Sequence, residues 1–130
     1  MREVIKIKET CLYIHDLEAA KAFYHEKIGF DIIHYLPDRH IFFRVGASVL
    51  LCFNPEDSKT KTSPPPHFAQ GPQHFAFEVA KEDYLSCKEK IISLGIDIED
   101  EVIWKSGQES FYFKDPAGNV LEIVPKGIWD

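Results

Sequence analysis

Cysteine and positive charge are both scarce in this sequence. Three cysteines stand in 130 residues, an odd number with no Cys-X-X-Cys spacing. They provide neither a disulfide framework nor a cysteine zinc cage, and they suit the reducing cytoplasm, where we expect the protein to reside. The 15 Lys and Arg are outnumbered by 21 Asp and Glu, which leaves a formal net charge of −6. Because nucleic acid selects a basic face, we expect no nucleic-acid partner.

Long hydrophobic runs and common catalytic motifs are also missing. No run is long enough to span a bilayer, and residues 1–8 alternate charged and apolar side chains where a signal peptide has an apolar core. We therefore expect no membrane partner. The sequence has no GxSxG, no phosphate-binding glycine loop and no HExxH. What remains is the composition of a globular protein, 45% apolar and 28% charged, with enough residues for one domain with its own core.

The sequence contains an internal repeat. Residues 9–32 (ETCLYIHDLEAAKAFYHEKIGFDI) and 74–98 (HFAFEVAKEDYLSCKEKIISLGIDI) share an order: an alternating run, an amphipathic segment, then Gly, an apolar residue, Asp and Ile. Alternation predicts a strand, helical spacing predicts a helix, and further short apolar runs follow in each copy. We predict an α+β fold of two β-α-β-β-β modules. Module one spans 1–54, the linker 55–72 and module two 73–130.

The linker is rich in proline. Five prolines lie between residues 54 and 73, together with Ser, Thr and Lys, which is the composition of an extended connection. Its length is unusual for a plain connection, and such a segment could fold over a site. The linker residue His67 could then be a ligand carried by a lid, although we favour a solvated loop histidine. Four other histidines show no motif spacing, and we predict them at the surface: His15, His25, His34 and His40.

Two phrases of the second copy point to a known family. His74-Phe75-Ala76-Phe77-Glu78-Val79 opens it, and Asp115-Pro116-Ala117-Gly118-Asn119 followed by Glu122 closes it. With the repeat, the chain resembles the vicinal oxygen chelate superfamily, which includes glyoxalases, bleomycin resistance proteins and extradiol dioxygenases. The resemblance implies sheets that curl into a half-open barrel around a cavity. It also implies a small-molecule ligand, a divalent metal (Mn, Fe, Mg or Zn) and a homodimer.

The family's metal positions carry over only in part. The resemblance places ligands at His74 and Glu122, as the family expects, but at Glu9 the family usually has His. The fourth position falls at Leu51, or one residue away at Leu50, and neither leucine can bind metal. The four-ligand pattern of glyoxalase I and the two-His-one-carboxylate pattern of the extradiol dioxygenases are therefore both incomplete.

Strand alternation supports Glu9, His74 and Glu122 as one site. His74 lies opposite the aromatic side of its strand, so it should face the cavity while the aromatic side faces the helix. Glu122 likewise lies on the opposite side of its strand from Leu121 and Ile123, so it should also face the cavity. An imidazole and two carboxylates suit a borderline or hard divalent cation. Without a metal, the two carboxylates would repel each other and favour a bound proton. As the plainer alternatives, Glu122 pairs with a cationic side chain and Glu9 is solvated.

Two functions remain open at this stage. The first is a metal-dependent lyase, isomerase or oxygenase, with His74 and Glu122 as catalytic residues and a substrate that chelates through adjacent oxygens. The second is a metal-free protein that binds a small molecule or antibiotic, as bleomycin-binding relatives do. No feature of the sequence supports a sensor domain. Fosfomycin resistance is disfavoured because the fosfomycin-modifying members of the family have an Arg beyond the last Glu, and this sequence has none after Glu122. We predict that five residues line the substrate cavity: Cys11, Tyr13, Trp104, Ser110 and Tyr112.

Overall fold

The computed structural model describes all residues, 1–130, and divides them into two compact units, 1–70 and 71–130. Unit 1 contains two short helical segments besides its strands. Its elements are β1 (Glu9–Tyr13), α1 (Leu17–Ala20) continued by a π-helix (Lys21–Lys27), β2 (Ile32–Leu36), β3 (His40–Val45), β4 (Ser48–Phe53) and α2 (Pro55–Ser58). Unit 2 repeats the order with β5 (His74–Val79), a 3₁₀ turn (Lys81–Asp83), α3 (Tyr84–Ser93), β6 (Asp100–Ile103), β7 (Glu109–Lys114) and β8 (Val120–Pro125).

Each unit contains one four-stranded mixed sheet, and the two sheets have the same topology. The strand orders are β1-β4-β3-β2 and β5-β8-β7-β6. In both units the first strand pairs in parallel with the last, and the remaining pairs are antiparallel. This confirms the predicted α+β fold of two β-α-β-β-β modules. Neither sheet closes on itself, as a half-open barrel requires.

The first helix begins and ends where the sequence predicts. Asp16 accepts a hydrogen bond from the Ala19 amide at 3.0 Å, which satisfies a free N–H of the first turn. The apolar side of this helix is buried, with Tyr24 at 0% exposure. The chain leaves the helix at Gly29, whose φ of +94° is a left-handed conformation that glycine adopts without strain. The second half is a π-helix, with the Ile28 amide donating to the Phe23 carbonyl at 3.0 Å.

One face of each sheet packs against the helix of its own unit and carries the core. In unit 2 the fully buried Phe111, Phe113 and Leu121 lie on this face, and the Tyr84 ring of α3 is 5.6 Å from that of Phe111. Along β5 the exposed and half-buried residues alternate, as predicted, with His74 on the exposed side and Phe75 on the half-buried side. The opposite face of each sheet is therefore free to form a site.

The linker residues up to 70 belong to unit 1, where they fold back onto its sheet. Asn54 caps α2 by accepting a hydrogen bond from the Glu56 amide at 3.1 Å. Further along, the His67 amide donates to the Ser58 carbonyl at 3.3 Å. The segment therefore returns toward its own beginning and covers part of unit 1. No helix of the chain has the length and apolarity that a membrane crossing requires.

Candidate functional site

His74 and Glu122 face each other in unit 2. His74 is the first residue of β5 and Glu122 is the third of β8, and the parallel register places Ala76 beside Glu122. The His74 Nε2 atom is 3.4 Å from the Glu122 Oε1 atom. The Glu122 side chain is only 8% exposed, whereas that of His74 is 51% exposed. A nearly buried carboxylate therefore meets an accessible imidazole on the face that the sequence predicts.

The hydrogen bonds of His74 fix which ring nitrogen carries its proton. Nδ1 lies 2.8 Å from the Val120 carbonyl oxygen, which can only accept, so Nδ1 is the donor. In the neutral ring, Nε2 is then a lone-pair acceptor aimed at a carboxylate oxygen, which is also an acceptor. Two acceptors at this distance repel each other unless a proton or a metal ion lies between them. A backbone carbonyl that orients a histidine in this way is a common outer-shell partner of metal ligands.

Three further side chains continue the site behind Glu122. Tyr112 lies directly opposite Glu122 on β7, and its hydroxyl is close enough to that carboxylate and to Ser110 for both to affect its pKa. Burial raises the pKa of Tyr112, and the neighbouring Glu122 carboxylate raises it further, so the hydroxyl remains a donor. The Trp104 Nε1 atom in turn donates to the Ser110 Oγ atom at 3.1 Å. The predicted residues Trp104, Ser110 and Tyr112 thus lie together beside Glu122, with Trp104 and Ser110 joined by a hydrogen bond.

Unit 1 places different side chains at the equivalent positions. In β1 and β4 the parallel register sets Cys11 beside Leu51, just as Ala76 lies beside Glu122. Leu51 is therefore the counterpart of Glu122, and this register removes the uncertainty with Leu50, which is buried at 2% exposure. Glu9, the exposed first residue of β1, corresponds to His74.

The third predicted ligand lies in the other unit. Glu9 belongs to unit 1 and His74 and Glu122 to unit 2. Within either unit, no group of three His, Cys, Asp or Glu side chains could hold a metal ion. A metal held by all three residues therefore stays a prediction.

The inner face of unit 1 forms a cavity of about 460 Å³. Its floor is apolar, with Phe42 and Leu51 from the sheet, and Glu9 lies at its edge. This volume is within the range of small-molecule pockets, roughly 300–1,000 Å³. Residues of the sheet and of the linker together form its lining: Glu9, Arg39, His40, Phe42, Leu51, Phe53, Asp57, Ser58, Lys61, Ser63, Pro64, Pro65 and His67.

Three histidines are half-buried where a surface or solvated position was predicted: His25, His40 and His67. The His25 Nδ1 atom lies 2.7 Å from the Phe30 carbonyl oxygen. His67 is not a solvated loop residue: its Nδ1 atom lies 2.8 Å from the Tyr13 hydroxyl, and its ring packs edge-on against Phe53 at 4.6 Å. His40 is half-buried in the cavity wall, where its ring stacks on Phe42 at 4.1 Å. Only the pairing of the linker with the sheet could reveal these roles, because the sequence near either histidine has no motif.

Cys11 and Tyr13 lie next to the cavity floor. Both are half-buried on β1, Cys11 beside Leu51 in the sheet and Tyr13 stacked on Phe53 at 6.4 Å. Burial raises the pKa of the Cys11 thiol, and the Glu9 carboxylate raises it further. Cys11 is therefore a thiol of low reactivity at neutral pH.

Comparisons with known proteins agree with this fold. The model of the Glyoxalase/Bleomycin resistance protein/Dioxygenase superfamily matches residues 6–123. The structure of a lactoylglutathione lyase from Agrobacterium tumefaciens is 35% identical, with a TM-score of 0.92 and 98% of each chain covered. A glutathione transferase, FosA, from Serratia marcescens is 27% identical over 125 residues, which are 90% of this chain and 78% of that protein. A glyoxalase/bleomycin resistance protein/dioxygenase from Nocardioides, 21% identical over 96% of this chain and 87% of its own, shares the fold with a TM-score of 0.76.

Proposed function

This chain belongs to the Glyoxalase/Bleomycin resistance protein/Dioxygenase superfamily, and we propose that it is a divalent-metal-dependent enzyme of the lyase type acting on a small oxygen-chelating substrate. The observation that carries the proposal is the facing pair of acceptors, His74 Nε2 and Glu122 Oε1, 3.4 Å apart. The 35% identity to a lactoylglutathione lyase supports the lyase class over an oxygenase.

The donor set fits a divalent cation. An imidazole nitrogen and a carboxylate oxygen are ligands for Zn²⁺, Mn²⁺ or Fe²⁺. When bound, such an ion would supply Lewis acidity to a substrate oxygen.

The chain's own groups have separate roles in this proposal. The Val120 carbonyl holds the His74 ring so that Nε2 points at the site. Tyr112 lies opposite Glu122 in the sheet, with its hydroxyl placed to position that carboxylate. Because Glu122 is nearly buried, it is also the base placed to take a proton from the substrate away from bulk water.

Metal content tests the proposal. We expect protein purified without chelator to contain about one divalent ion per chain by mass spectrometry, and His74→Ala and Glu122→Gln to lose it. Glu78→Gln is the matched control, because Glu78 is exposed on the same strand and the same side as His74 but outside the pair. The formation or cleavage of lactoylglutathione is the first activity to assay. A metal-free wild type, or equal metal in the wild type and both site variants, would contradict the proposal.

A metal-free binding protein is the second candidate. The observation that favours it is the apolar side chain of Leu51, at the position where unit 2 has Glu122. Leu51 also forms part of the floor of an aromatic cavity. In that case the contact between His74 and Glu122 has a structural role only. No metal in the wild type, together with saturable binding of an apolar compound, would favour this function. The homodimer and the cytoplasmic location stay predictions; the dimer is checked by the mass in solution.

A further inference from the structure

The cavity of unit 1 has walls suited to a flat ring. The His40 and Phe42 rings are nearly parallel, 4.1 Å apart with an interplanar angle of 9°. Phe53 lies at 64° to Phe42 and at 87° to His67, so the aromatic surfaces present both faces and edges. Aromatic pairs prefer these offset and edge-to-face arrangements. A planar aromatic guest could make both kinds of contact with the wall.

The linker holds this wall in place. The Tyr13 hydroxyl and the His67 Nδ1 atom are hydrogen-bonded at 2.8 Å, and the His67 amide bonds back to the Ser58 carbonyl. These two contacts tie the segment to β1 and to the end of α2. The slot between sheet and linker is therefore formed before a ligand arrives, which lowers the entropic cost of binding.

One polar group in the cavity lacks a partner. Ser58 lines the cavity with 1% exposure, and its Oγ atom is buried without any hydrogen-bond partner. A buried hydroxyl left unpaired costs free energy, so such groups normally bond to something. Ser58 can donate to an oxygen of a bound molecule.

The charges beside Ser58 favour an anion. Asp57, its neighbour, is contacted by the Arg39 Nε atom at 3.5 Å and the Lys61 Nζ atom at 3.5 Å. Two cations therefore share this one carboxylate, and the other acidic residue of the lining is Glu9. The carboxylate of a ligand could pair with the second of these cations. All three charged residues also line the cavity.

We propose that the cavity of unit 1 binds an aromatic carboxylic acid, with its ring between Phe42, Phe53 and His67 and its carboxylate at Ser58 and Lys61. The inference rests on the proposed function in one respect only, which is that the protein takes a small molecule whose class is named here. The cavity is lined by residues of unit 1 alone. His74 and Glu122 are not among them, so binding in this cavity needs no metal ion.

Calorimetric titration in the presence of a chelator tests this, with 2-naphthoate as the probe. We expect saturable binding with a Kd of about 10–100 µM, and at least tenfold weaker binding of methyl 2-naphthoate and of cyclohexanecarboxylate. The ester lacks the charge, and the cyclohexane ring lacks the flat face. Binding equal to that of naphthoate for either compound would overturn the assignment, as would no saturable binding of naphthoate.

Two variants locate the site. Ser58→Ala should weaken naphthoate binding about tenfold, and the control Ser86→Ala, at an exposed serine of α3, should leave it unchanged. Leu51→Phe fills the cavity floor and should abolish binding, with an unchanged circular dichroism spectrum showing that the variant folds. Wild-type affinity in Leu51→Phe would refute the location. The titration excludes metal, so the two proposals can fail separately. Naphthoate binding by a wild type that contains no metal refutes only the proposed enzyme. Metal in the wild type without naphthoate binding refutes only this site.

Discussion

Replacing Leu51 by Glu would give unit 1 the carboxylate that unit 2 has at Glu122. The equivalent registers of the two sheets predict that this carboxylate would approach Glu9 about as closely as Glu122 approaches His74. Two like charges about 4 Å apart repel by about 4 kcal/mol at an effective dielectric constant of about 20, and by roughly 1–2 kcal/mol once solvent around the exposed Glu9 screens them. Loss of the half-buried leucine adds about 1 kcal/mol.

We therefore expect Leu51→Glu to lower the free energy of unfolding by roughly 2–3 kcal/mol in chelator, or the Tm by roughly 8–12 °C. A divalent ion between the two carboxylates would reverse the repulsion. At a concentration about 100 times the Kd, such binding restores about 2.7 kcal/mol. Thermal unfolding with Zn²⁺ or Mn²⁺ and with chelator measures both effects.

Leu51→Gln is the matched control for this prediction. Its side chain has nearly the same shape as that of glutamate and the same loss of apolar contact, but it has no charge to repel Glu9. We expect a smaller destabilisation that added metal does not reverse. If the Glu and Gln variants have the same Tm in chelator, and metal raises both equally, Glu9 and position 51 do not form a paired site and the inferred equivalence of the units fails at this point.

Three further predictions concern the site, the core and the titration of a histidine. Tyr112→Phe removes the hydroxyl that lies beside the Glu122 carboxylate, and we expect metal affinity to fall about 10-fold by calorimetry; unchanged affinity would contradict a positioning role. Phe111→Ala empties a fully buried ring position and should cost about 3–5 kcal/mol of unfolding free energy in a urea titration, whereas a cost below about 1 kcal/mol would contradict tight packing. Burial, and then His34, lower the pKa of His40, so the unfolded chain binds this proton first and stability falls as the pH drops below about 6.5. His40→Phe should flatten that decline in urea titrations across this pH range, and an equal decline in both proteins would refute it.

The repeat made most of the fold predictable. Period-two and helical spacings recur in both copies, so the strands and the main helix of each module were found. The short helix α2 was missed, because it lies in the linker that the proline content predicts to be extended. The pairing of His74 with Glu122 followed from alternation, because the aromatic side of each strand must face a helix. Local pattern sufficed for these residues because their neighbours in space are set by sheet register.

The cavity of unit 1 was not predictable in the same way. Its wall depends on where residues 59–67 run, and proline composition indicates an extended chain without giving its direction. Ser58 and His67 therefore looked like ordinary linker residues. Their roles come from contacts with β1 and the inner face of the sheet, which no periodicity encodes.

The difference between the two units suggests how one scaffold serves two tasks. At equivalent positions unit 2 has His74, Tyr112 and Glu122, whereas unit 1 has an acidic residue followed by Phe42 and Leu51. The same register therefore presents a polar, cation-seeking pair on one sheet and an aromatic floor on the other. Because a sheet fixes backbone spacing whatever its side chains are, either face can change without disturbing the core on the opposite side. The metal content of His74→Ala and the naphthoate titration of Ser58→Ala probe the two faces separately, and each substitution should leave the other measurement unchanged.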